Sequence, residues 1–360
     1  MKNQIQKECL TGSMQQQDLE LIIESKIDFE KYKNTTVLIT GATGFIGSSL
    51  VKTFLCGNRM RDLNIHIIAA VRNLEKAEKV FGSLLEREGI ELYVGDISSK
   101  VEYDGTVDYI FHTASITASK TMVECPVETI ETSYQGTRSM LELARQKKVR
   151  GMVYVSSMEV YGIPDKSLHE VSEKDLGYID LANVRSSYSE GKRICECLCT
   201  AYASEFKIPV KSARLAQTFG AGILKNDTRV YAQFAHSVMN GTDIVLHTKG
   251  VSEGNYCYIR DVIKALLILG YSGNGGESYN IVNEDSHMQI REMAELVSDK
   301  ISHGKIAVQF DIPESELTYG YAPTVKMKLS GKKMMSLGWK PEVNMVESYE
   351  RMIHDMAMDI

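Results

Sequence analysis

Residues 36–50 read "TVLITGATGFIGSSL", and the order of residue types in this stretch decides the fold. A short run rich in β-branched side chains makes a strand. Gly41, Gly44 and Gly47 follow at once, and an apolar periodic run opens a helix. So tight a turn needs residues without side chains, and a pyrophosphate must approach backbone N–H groups at the positive dipole end of the helix. The stretch is therefore read as a dinucleotide-binding loop, with Gly41, Thr43, Gly44, Phe45, Ile46 and Gly47 assigned to the cofactor.

Outward from the loop, "IHIIAAV", "ELYVGD", "VDYIFHTA", "GMVYVSS" and "PVKSARL" are strand-like, and helical stretches such as "TIETSYQGTRSMLELARQ" lie between several of them. Alternation of this kind implies a parallel sheet covered on both faces. The expected fold is α/β: a Rossmann-type doubly wound parallel sheet with a smaller C-terminal α/β substrate lobe. Residues 1–35 read as a polar N-terminal arm with a short amphipathic helix in "DLELIIESKI". Residues 36–214 form the NAD(P)-binding domain and 215–360 mainly the substrate-binding lobe, closing over the C-terminal edge of the sheet where such sheets bind ligands.

The end of the second strand reads "AAVRN". Arg72 cannot accept hydrogen bonds from ribose hydroxyls, yet its guanidinium suits a 2′-phosphate, so NADP is favoured over NAD. In "GDIS", Asp96 is a polar group for the adenine edge; with its neighbour Ile97, and with Ala114 after the next strand, it completes the cofactor assignments.

Forty-one basic against 47 acidic residues give the 360-residue chain a net charge of −6. That balance argues against nucleic acid or an anionic membrane as partner. No apolar run opens the chain and none later has the length of a membrane span, so a cytoplasmic location is expected. Seven cysteines and eight histidines show no metal-ligand spacing, and no metal is assigned. Cys195, Cys197 and Cys199 are read as buried reduced thiols, and His112 as the end of a core strand.

The stretch 185–198, "RSSYSEGKRICECL", sets Tyr188 and Lys192 about one turn apart on one helix face. A phenol with an ordinary pKa near 10 is a poor base at neutral pH, and a cation one turn away stabilises its phenolate. Alone, the pair is as readily a surface tyrosine and a solvated lysine. With the glycine loop, "GDIS", "FHTAS", "SSMEVYG" and YxxxK in this order, the sequence resembles the extended short-chain dehydrogenase/reductase family, also called the NAD-dependent epimerase/dehydratase family. The likeness runs from about Thr36 to "LGWKP".

The resemblance implies a nicotinamide cofactor and a nucleotide-activated sugar as substrate. It makes Tyr188 the acid/base, Lys192 its partner and a ligand of the nicotinamide ribose, and Ser157 a hydroxyl that bonds the reacting oxygen. It also implies a homodimer formed through helices beside the YxxxK segment. The "YxEGKR" pattern is similar to that of UDP-glucuronate-type decarboxylases, whose catalytic glutamate Glu159 matches. Dehydratases of the family carry Asp and Glu after this strand; here Met158 precedes Glu159, and a thioether cannot protonate a leaving hydroxyl.

Three readings follow. Arg72 favours net reduction of a keto-sugar with NADPH, because members that regenerate their cofactor in place resemble NAD binders. The second is a decarboxylase or epimerase with tightly bound NAD and Glu159 assisting. The third is a non-catalytic dinucleotide sensor, against which the intact Ser157, Tyr188 and Lys192 argue. Ser133 and Gln217 stand where the family usually has Asn, and Gly254 stands about where an arginine clamps the diphosphate. Gln217, Arg229 and Arg260 are accordingly assigned to substrate, Arg260 with a competing reading as a helix-start charge beside Asp261.

Overall fold

Seven runs rich in Val, Ile, Leu, Ala and Tyr lie side by side as one parallel sheet in the computed structural model, which describes residues 13–99, 101–224, 227–312 and 325–358. They are β1 (Thr36–Thr40), β2 (His66–Val71), β3 (Ile90–Val94), β4 (Tyr109–His112), β5 (Gly151–Ser157), β6 (Val210–Leu215) and β7 (Ser278–Ile281). Their spatial order is β7-β6-β5-β4-β1-β2-β3, with the change of direction beside β1. Every residue of β1, β4 and β6 is buried, as expected of strands covered on both faces.

The helices that bear on the site are α1 (Met14–Glu24), α2 (Phe45–Arg61), α3 (Leu74–Phe81), α4 (Pro126–Lys147), α5 (Ser186–Phe206), α6 (Val230–Asn240), α7 (Ile259–Tyr271) and α8 (Met345–Met358). Alternate strand residues face opposite layers. Val37 and Ile39 pack with α2 and α7, while Leu38, Ile110 and Met152 pack with α4 and α5. A separate core of Phe219, Tyr231, Phe234, Tyr349 and Met352 holds the smaller lobe.

The boundary expected at residue 214 is not respected. β7 pairs with β6 in the main sheet, and α7, buried from Ile259 to Gly270, covers that sheet rather than the lobe. A helix apolar nearly all round must lie between layers. The arm expected at 1–35 is likewise corrected from Ser13 onward, whereas residues 1–12 lie outside the described residues. α1 buries Leu19, Ile22 and Ile23, and Phe29 and Tyr32 are sealed in the core, where the Tyr32 hydroxyl donates to the Leu267 carbonyl at 2.6 Å.

The polar face of α1 is anchored too. Asp18 is buried and accepts from the Tyr258 hydroxyl (2.6 Å), Arg260 (3.1 Å) and Arg351 (2.8 Å), joining α1 to α7 and α8. Replacing Asp18 by Ala would leave the Arg260 and Arg351 guanidinium groups with the more distant, partly exposed Glu347 as their remaining carboxylate partner (3.7 and 4.0 Å). Breaking a buried pair of this kind costs roughly 3–5 kcal/mol. Denaturant unfolding of Asp18→Ala is expected to show a loss of about that size; a loss under about 1 kcal/mol would place the cluster with exposed ion pairs.

Candidate active site

The C-terminal ends of the parallel strands bring the assigned residues to one edge. The glycine loop follows β1, Arg72 follows β2, Asp96 and Ile97 follow β3, Ala114 follows β4, Ser157 ends β5, and Gln217 lies beyond β6. In the loop, Gly41 has φ +63°, and a Cβ there would stand 2.7 Å from the Ala114 Cα. A Cβ on Gly47 would stand 2.3 Å from the Gly41 carbonyl oxygen, so the turn excludes any side chain at either position. Gly44 is the N-cap of α2 and brings no side chain to cap it, which leaves the helix's first N–H groups facing the loop. This cradle fits a dinucleotide pyrophosphate. Arg72 and Asp96 are exposed, Asp96 accepting from the Ser98 N–H at 2.9 Å, and Ile97 is buried.

Ser157 is followed directly by the turn Met158–Tyr161, and its hydroxyl caps that turn by accepting from the Glu159 N–H at 3.2 Å. The Ser157 hydroxyl stands close enough to the Tyr188 phenol to favour its ionised form. One turn along α5, the Lys192 ammonium donates to the Val155 carbonyl at 2.8 Å and lies 5.7 Å from the centre of the Tyr188 ring. Glu159 meets Arg185 at 3.4 Å, and the Ser189 side chain lies close enough to favour its charged form. Ser157, Glu159, Tyr188 and Lys192 thus form one constellation across β5 and α5.

Its electrostatics correct one expectation. Burial, with a further push from the Glu159 charge, raises the Tyr188 phenol well above its ordinary value, against the lowering effects of Ser157, Arg185 and Arg229. Desolvation outweighs the cations around the phenol, so its place one helical turn from Lys192 does not by itself lower it. Burial also raises Glu159 above the usual carboxylate range and lowers Lys192 to about 8. His112, fully enclosed between Thr40 (2.7 Å) and Thr137 (3.2 Å), is driven down to about 3 by burial and then by the Lys192 charge, so it is a neutral core residue.

The substrate assignments divide. Arg229, at the N-cap of α6, pairs with Asp227 and places its charge where Tyr188 feels it. Gln217 is half-buried in the short strand Gln217–Phe219. Arg260 is corrected: its guanidinium is buried and spent on Asp18 (3.1 Å) and Glu347 (3.7 Å), so it is a structural charge. Gly254 is buried, yet a Cβ there would meet nothing within 4 Å, so the place of the missing arginine opens onto free space. Ser133 turns its hydroxyl back to the Thr129 carbonyl (2.8 Å), and of the three clustered cysteines Cys197 is exposed, because only Cys195 and Cys199 share the buried face of α5. Arg185 and Ser189 escaped the sequence reading; Arg185, the N-cap three residues before Tyr188, could have been found from its i,i+3 spacing, whereas Ser189, next to Tyr188 in the chain, gave no such sign.

A model of the NAD dependent epimerase/dehydratase family matches residues 37–282. UDP-glucuronic acid decarboxylase 1 of Xenopus tropicalis is 28% identical over 319 residues, 88% of this chain and 71% of that protein. UDP-glucuronic acid decarboxylase 3 of Arabidopsis thaliana is 28% identical over 326 residues, 90% of each. Among solved structures, an epimerase from Methanothermobacter thermautotrophicus superposes with a TM-score of 0.76 at 24% identity, covering 94% of this chain and 96% of that one. A UDP-glucuronic acid 4-epimerase from Bacillus cereus, in complex with UDP-glucuronic acid and NAD, superposes with a TM-score of 0.73 at 21% identity, over 91% of this chain and all of that one. At these identities the structural likenesses establish the fold.

Proposed function

The chain belongs to the NAD-dependent epimerase/dehydratase family, and from that premise we propose that it acts on a nucleotide-activated sugar with NAD retained through the cycle, in the manner of a UDP-glucuronate decarboxylase or epimerase. Gly41, Thr43, Gly44, Phe45, Ile46 and Gly47 hold the pyrophosphate, and Asp96, Ile97 and Ala114 border the adenosine side. When bound, the nicotinamide supplies a hydride acceptor for a sugar carbinol. The residues of this chain manage the proton and the orientation. Ser157 and Tyr188 mark the place of the reacting oxygen; as the carbinol hydride leaves, the hydroxyl proton passes to the Tyr188 phenolate, a form favoured by the Lys192 charge 5.7 Å from its ring, and the proton is given back when the hydride returns.

The observation that carries the reading is Glu159. Hydride transfer at one carbon needs only Tyr188 as acid/base, yet a carboxyl group with a raised pKa stands close enough for its charge to raise Tyr188 further. Loss of CO2 beside a ketone leaves a carbon that must receive a proton, and epimerisation beside a ketone must remove and return one. Glu159 fits that second proton transfer. The curated relatives, decarboxylases by name, support this reading over keto-sugar reduction. Arg72, exposed at the end of β2, is the observation that favours NADPH-dependent reduction instead. The nicotinamide nucleotide carried by the purified protein separates the two, with NAD near one per chain expected.

We further propose a homodimer through α4 and α5, which expose Val127, Ile130, Tyr134 and Ile194 beside the catalytic helix. A cytoplasmic location is retained as part of the proposal; no described helix is long and apolar enough to cross a membrane.

A further inference from the structure

Lys192 is 3% exposed, and a buried ammonium requires partners for its charge. The anion nearest along the helix, Glu196, is committed elsewhere: it receives Arg214 through two nitrogens (2.7 and 3.0 Å) and the Ser156 (2.5 Å) and Ser278 (2.9 Å) hydroxyls. Glu159 is engaged by Arg185 and Ser189, Cys195 and Cys199 are thiols raised by burial, and His112 is neutral. Glu196 and Glu159 still act on the ammonium through space, but its direct contacts are the Val155 carbonyl at 2.8 Å and two aromatic faces. The ammonium lies 4.9 Å from the centre of the Tyr154 ring, nearer than the 5.7 Å to Tyr188.

Tyr154 sits in the middle of β5, 1% exposed, paired in register with His112 of β4 and Ser212 of β6. Its buried hydroxyl has no oxygen or nitrogen partner, only the Cys195 thiol beside it, a weak partner that does not explain a tyrosine here. The ring face does. We propose that Tyr154 is a positioning residue whose π face seats the Lys192 ammonium, keeping it charged and aimed at both Tyr188 and the cofactor ribose. The seat couples a strand residue with no access to the substrate to the acid/base pair. The inference rests on the cofactor site of the proposed function and not on any second step at Glu159.

The test replaces residue 154 by Phe and then by phenylalanines of increasing ring fluorination, which drain the π face with little change of volume. NAD binding is measured by fluorescence as a function of pH, with no substrate present. Tyr154→Phe should bind as the native protein does and lose little stability, since it deletes a buried hydroxyl with only a thiol beside it. Along the fluorinated series, affinity should fall stepwise to about ten-fold weaker, the size of a desolvated cation–π contact. Because the seat favours the charged amine, the pH above which Lys192 loses its proton, about 8 natively, should move down by about one unit. Equal affinity and an unmoved pH midpoint across the series would overturn the proposal, as would a loss already complete in Tyr154→Phe. Failure of sugar turnover, by contrast, would leave this binding test untouched and bear only on the proposed function.

Discussion

Tyr188→Phe is expected to lower turnover on the nucleotide sugar by about a thousand-fold, within the range for loss of a positioned acid/base group, while NAD binding changes little. On the proposed function the phenol exchanges the proton at the reacting oxygen, with the Ser157 hydroxyl beside it. Phenylalanine keeps the ring that lies beneath the Lys192 ammonium at 5.7 Å, and Ser157 still receives the Glu159 N–H. The fold and the cofactor cradle around Gly41 and Gly47 are therefore unaffected, and the loss appears in kcat rather than in cofactor affinity. Steady-state rates together with NAD binding by fluorescence check this outcome. Turnover within a few-fold of native would remove Tyr188 from the mechanism.

Glu159→Gln is the second large effect. Glutamine keeps the shape and the contacts to Arg185 and Ser189 but cannot carry a proton, so a fall in turnover of about a hundred-fold or more is expected. Oxidation of the sugar should survive, visible as a burst of reduced nicotinamide absorbance that does not decay. The pH profile supplies an independent sign. Glu159's charge raises the Tyr188 phenol, so the neutral glutamine should move the Tyr188 limb to lower pH. Glu159 itself titrates above its ordinary 4.5, and the limb it sets should vanish. The structural cost is small, because the Arg185 pair is about one-third exposed on both sides. Native turnover in this variant would return the lead to simple keto-sugar reduction.

Legibility followed the range of the interactions. Gly41, Gly44 and Gly47 were readable because one tight turn imposes them locally, and Tyr188 with Lys192 because helical spacing fixes a shared face. Strands β1 to β6 stood out as short apolar runs, whereas β7 lay in a segment whose rhythm resembled the lobe and joins the sheet only by pairing with β6. Asp18 gave no local sign of its role, since its partners Tyr258, Arg260 and Arg351 lie 240 or more residues away in the chain. For the same reason the sequence left Arg260 between a substrate ligand and a helix-start charge beside Asp261. Tyr188's raised pKa was out of reach because it is set by burial, which spacing along a helix does not reveal. Tyr154 was indistinguishable from any other aromatic residue in a core strand until Lys192 was seen above its ring.

The most direct measurement is to purify the protein without added cofactor, denature it, and identify and quantify the released nicotinamide nucleotide by chromatography. An enzyme that returns its hydride to the same sugar has no need to exchange cofactor, so the account predicts NAD close to one per chain. A site that releases nothing and then binds NADPH more tightly than NADH would contradict it. Arg72 would then be reading a 2′-phosphate, and the protein would be a reductase drawing on the cellular NADPH pool.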